Sequence, residues 1–89
     1  MAIHLMRFTI EQRHLTDDVG KPLPQGSVTF HSCEAGSVDE AVRLFIKKSD
    51  AEVLGDVMTF PGFQAVATVR NTAGVFTLQI APSSQQYRL

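Results

Sequence analysis

The chain is poor in the residues that usually announce a function. It has no tryptophan, one tyrosine and one cysteine in 89 residues. A lone cysteine cannot close an internal disulfide, which fits a reducing compartment. Long apolar runs are also missing. The opening stretch MAIHLMRFTIEQRHL is broken by Arg7 and Glu11, and no segment has the length of a signal-peptide core or a membrane span. The expectation is a soluble cytoplasmic protein with no membrane partner. Neither sign of charge is in excess: 8 Lys and Arg stand against 9 Asp and Glu, a net charge of −1. No global field draws in nucleic acid or anionic lipid. Internal repeats, low-complexity runs and linkers are absent as well.

What is present is a globular composition, 44% hydrophobic and 19% charged, which argues against disorder over the bulk of the chain. A chain this short makes one domain with a thin margin of buried surface, and such domains often gain stability from a partner subunit. Alternating apolar residues predict a first strand over 3–12. The cluster of Asp, Gly and Pro in HLTDDVGKPLPQG predicts a long surface loop. SVTFHSCE then reads as a second strand.

The sharpest local signal is SVDE at 37–40, a capping box in which Ser37 accepts from the Glu40 N–H and Glu40 reaches back to the N–H of Ser37. Asp39 and Glu40 suit the positive end of a helix dipole, and Lys47 and Lys48 the negative end. Val38, Ala41, Val42, Phe45 and Ile46 form an apolar stripe at helical spacing, so a helix is expected over about 38–49. Three strands follow, over 53–60, 63–71 and 75–81, with turns at Pro61-Gly62 and at NTAG. The fold class is therefore α+β: a mainly antiparallel sheet in ββαβββ order over residues 1–82, with one helix on one face and a polar tail over 83–89. This order is shared by many unrelated small domains and carries no function by itself.

Taking the more apolar parity of each strand as the helix side places Met6, Phe8, Ile10, Val28, Phe30, Met58, Phe60, Phe63, Ala65, Ala67, Val69, Phe76, Leu78 and Ile80 inside. The opposite face collects Thr9, Thr29, Thr59, Val66, Thr68, Val75 and Thr77, with Arg7, His31, Cys33 and Arg70 beside them. A half-apolar Thr/Val face of this kind suits a sheet-to-partner contact, and self-association, with a dimer favoured, is the simplest way to cover it.

Chemistry is sparse. His31 and Cys33 share a strand face, but they are two of the three or four ligands zinc needs. As a nucleophile, Cys33 lies four residues before the helix cap, amid Glu34, Asp39 and Glu40, which oppose a thiolate. The single glycine of EAGS is far from a phosphate loop, and the acidic first turn repels anions. Base-stacking sheets need exposed aromatics next to basic residues, and this parity puts the strand phenylalanines inside. No catalytic, metal or cofactor site is expected. The reading is a non-catalytic interaction module that self-associates through the open sheet face. The alternative is a small-molecule binder or minor enzyme whose pocket uses Arg7, His31, Cys33 and Arg70 at a subunit junction.

Overall fold

The computed structural model describes residues 5–17, 19–23 and 27–83. Its elements are β1 (Met6–Thr16), β2 (Val28–Ala35), α1 (Val38–Ser49), β3 (Glu52–Phe60), β4 (Gln64–Asn71) and β5 (Gly74–Pro82), the α+β class and ββαβββ order read from the sequence. The strands form one antiparallel sheet in the spatial order β2-β1-β5-β4-β3. Three consecutive strands make a meander, and β5 closes back against β1, so the first and last strands hold the middle.

α1 joins the two edge strands and must therefore cross the whole sheet. Four strand spacings come to about 19 Å, and a helix of 12 residues is about 18 Å long, so its length matches the crossing. The helix starts where Ala35 ends β2 and finishes beside the β4–β5 turn, where Asn71 Nδ2 donates to the Ser49 carbonyl at 3.4 Å. It lies diagonally. With strands of 8 to 11 residues running about 27–37 Å, two opposite corners of the sheet stay uncovered.

Both helix ends are capped. The Glu40 N–H donates to Ser37 Oγ at 3.1 Å, as the capping box predicts. The Glu40 carboxylate goes one residue further back than expected and accepts from the Gly36 N–H at 2.5 Å. At the other end Asp50 takes the left-handed conformation, and its N–H reaches the Ile46 carbonyl.

Under the helix sit Phe8 and Ile10 of β1, Phe76, Leu78 and Ile80 of β5, and Ala65, Ala67 and Val69 of β4, facing Ala41, Val42 and Phe45 of α1. The two alanines give the helix room to approach. For these three central strands the inner parity is the one predicted, except that Phe63, expected inside at the start of β4, lies in the β3–β4 turn and is exposed. The edge strands differ. Phe8 stands opposite Cys33, Ile10 opposite His31 and Gln12 opposite Thr29, so the helix side of β2 is Thr29, His31, Cys33 and Ala35, and Val28 and Phe30 point the other way. In β3, Val53 and Val57 pack against the core and Thr59 pairs with Ala65, which leaves Leu54, Met58 and Phe60 outside. The assumption that the more apolar parity lies inside fails here because the diagonal helix covers only one end of each edge strand. Burial is set at that covered end, by Ala35 in β2 and by Val53 in β3. A bulge between Leu54 and Met58, with Gly55 at φ 77°, sets two extra residues against β4 and so leaves the parity unchanged across it.

β1 runs four residues past its expected end. His14 stacks on Phe76 with ring centroids 4.2 Å apart, and its Nε2 donates to the Ala73 carbonyl at 3.0 Å. The loop beyond is organised by Asp17, whose Oδ1 accepts from the N–H groups of Val19 (3.0 Å) and Lys21 (2.8 Å). Of the polar tail expected over 83–89 only Ser83 is among the described residues; it is buried and its hydroxyl lies 2.6 Å from that of Thr9.

Candidate functional site

The diagonal course of α1 creates a cleft at the corner where β1 and β2 run out from under it. Ile10, Gln12, His31 and Cys33 form its floor, and Leu44, Phe45 and Lys48 of α1 form its wall. Its volume is about 240 Å³, and one side is open to solvent. Two of the residues singled out in the sequence, His31 and Cys33, therefore do come together at a concave site, but on the helix side of the sheet rather than the open side.

Arg7 and Arg70 do not join them. Arg7 lies on the outer face 3.5 Å from Glu34, and Arg70, across the sheet on β4, is held 2.7 Å from Glu52. The four residues expected to share a ligand surface are divided between two faces. Gln12 and Lys48 were not expected at a site. Gln12 had a detectable signal, because a polar residue at an inner position of β1, in line with Phe8 and Ile10, marks a place where the helix does not reach.

Within the cleft the polar groups are few and oriented. His31 Nε2 donates to Gln12 Oε1 at 2.7 Å, so each of the two side chains orients the other. The imidazole meets Phe45 edge-on at 5.3 Å between centroids. The Ser49 hydroxyl turns back to the Phe45 carbonyl at 2.7 Å and is unavailable to a guest. Burial, reinforced by the Glu40 carboxylate and only partly opposed by Lys48, pushes the Cys33 thiol above its ordinary value. A protonated thiol is a poor nucleophile and a poor metal ligand. Among the described residues, no group of three or more His, Cys, Asp or Glu side chains gathers where it could hold a metal ion. Nor is any helix there long and apolar enough to cross a membrane.

The other candidate is the sheet face that α1 does not touch. Thr9, Val66, Thr68, Val75 and Thr77 are on it, as expected, each half-buried by its neighbours. Thr29 and Thr59 are not; the edge-strand parity puts them on the helix side. In their place the face carries Phe30, 64% exposed, and Met58 and Phe60, 58% and 46% exposed. Phe30 overhangs a shallow depression floored by Thr9, Glu11, Gln79 and Ala81. Charges on this face are matched locally, Arg7 with Glu34, Arg13 with Glu11 and Arg70 with Glu52. A band through Met58, Val66, Thr68, Thr77 and Gln79 carries none. The correction makes the face more apolar than the Thr/Val surface read from the sequence.

No protein-family model, curated protein or solved structure is detectably similar to this chain.

Proposed function

We propose that this protein is a non-catalytic interaction module that pairs with a second copy of itself through the open face of its sheet. The observation that carries this reading is the combination of Phe30, Met58 and Phe60 on a helix-free face whose charges are already neutralised within the chain. Phe30 stands on the β2 edge and Met58 and Phe60 on the β3 edge, with Glu11, Gln79 and Val66 in the row between Phe30 and Met58, so large apolar side chains flank a mixed Thr/Val centre, an arrangement that suits an interface. Local neutrality favours an identical partner. In an isologous contact each residue meets the same surface, so an unbalanced charge would confront its own copy.

The area is sufficient. Five strands of about eight residues present a footprint of roughly 650 Å² per protomer, or about 1,300 Å² in total, within the range of specific interfaces. Sheets packed face to face interdigitate their side chains across about 10 Å. That spacing suits threonine and valine at the centre with larger side chains at the flanks. The free thiol of Cys33 fits a reducing compartment such as the cytoplasm as the site of action.

Val66 stands between Met58 and Gln79 in the middle of the face. Val66→Asp places an unpaired carboxylate there, which costs several kcal/mol if the face becomes buried and little if it stays wet. The expected result is a monomer at concentrations where the native chain is a dimer, with the helix content unchanged by circular dichroism. Equal masses for the two proteins would contradict the proposal.

A further inference from the structure

We propose that the cleft between α1 and the β1–β2 corner is a second, independent site, and that it binds a small amphipathic carboxylate with its apolar body inside and its acid group at Lys48. The cleft is on the helix side of the sheet and the dimer face on the other, so the site does not depend on self-association.

Three features define the guest. The first is size. A volume of about 240 Å³ equals about eight waters at roughly 30 Å³ each and falls below the 300–1,000 Å³ usual for drug-sized ligands. It admits one short chain or one small ring and is too small for a peptide segment. The second is the wall. Ile10, Leu44 and Phe45 offer an apolar surface, and the edge of the His31 ring continues it. The third is charge. Among the described residues Lys48 is the one lysine, arginine or carboxylate side chain lining the cleft, and it acts on Cys33 against the stronger effect of Glu40. Among the described residues no carboxylate lines the cleft; the Glu40 carboxylate, which also reaches Cys33, is held by the Gly36 N–H in the first turn of α1, at the opposite end of the helix from Lys48. His31 and Gln12 are already bonded to each other and hold the floor in place.

Hexanoate, 1-hexanol and hexylammonium share one apolar chain and differ in the head group. Each is titrated into the isotopically labelled full chain, and amide chemical shifts are followed up to about 10 mM probe. Hexanoate is expected to bind tightest, with shifts centred on His31, Cys33, Phe45 and Lys48. Lys48→Met is expected to weaken hexanoate about three- to fivefold, the size of one partly exposed ion pair, and to leave hexanol unchanged. Leu44→Trp fills the cleft from a partly exposed position and is expected to remove binding of both. The proposal is overturned if hexylammonium binds as well as hexanoate, if Leu44→Trp leaves the shifts intact, or if no shifts appear around the cleft.

Discussion

His31 lies directly opposite Ile10 in the β1–β2 ladder, and Ile10 is 1% exposed beneath the helix. That single pairing decides the character of both faces. It turns His31 and Cys33 inward, where they floor a cleft with Gln12 and Lys48, and it turns Phe30 outward, where it adds an aromatic ring to an open sheet surface. One strand thus supplies the cleft with His31 and Cys33 and the opposite face with Phe30, 64% exposed.

The environment of Cys33 has a measurable consequence. Burial and the Glu40 carboxylate favour the protonated thiol in the folded protein. Alkylation by iodoacetamide is expected to be slower at neutral pH than for a free cysteine and to rise with an apparent pKa above the ordinary value of 9.0. The sign for stability follows. The native state holds its proton more tightly than the unfolded chain, so this contribution is complete below the ordinary thiol value and is lost as pH climbs through the raised one. Cys33→Ser should remove that alkaline loss. A Cys33 alkylated at neutral pH faster than a denatured control would contradict the assignment.

Gly74 closes the β4–β5 turn at φ 131°, a conformation open mainly to glycine. A Cβ there would run into the carbonyl oxygens of Thr16 and Asp17, where the end of β1 passes over the turn. Gly74→Ala is expected to lower stability by about 2–4 kcal/mol through strain and displacement of β1. Chemical denaturation tests it, and a loss below about 0.5 kcal/mol would show that the end of β1 yields freely.

Phe63 is unusual in the opposite sense. It occupies the left-handed region at φ 61° in the β3–β4 turn and is 59% exposed. A bulky residue there is strained by about 1–2 kcal/mol and recovers little by burial within the monomer. Phe63→Gly is expected to stabilise the isolated chain by about 1 kcal/mol. If the ring is kept for contact with the partner, the same substitution weakens dimerisation; both effects are read from denaturation at low and high protein concentration.

The sequence made the central strands readable because β1, β4 and β5 are covered along the lengths that carry their apolar alternation. Phe8, Ile10, Ala65, Ala67, Leu78 and Ile80 follow it without exception. The helix was equally clear, from its cap to its lysines, since those signals are local. Edge strands gave the wrong answer because coverage there is partial and fixed by the diagonal path of α1, which depends on strand order. Phe30 and Met58 look like core residues in a list of parities, but they are on the face that the helix does not cover. The cleft was half legible: His31 and Cys33 marked it, while Gln12 and Lys48 enter only once β1 is beside β2 and the last turn of α1 lies above both.

The most direct test of the account is the solution mass of the full chain by sedimentation equilibrium over a wide range of concentrations. Pairing through the sheet face predicts a reversible equilibrium that reaches twice the chain mass and goes no further, because an isologous face is consumed when two copies meet. A mass that stays at that of one chain at high concentration would leave Phe30, Met58 and Phe60 wet and contradict the central claim.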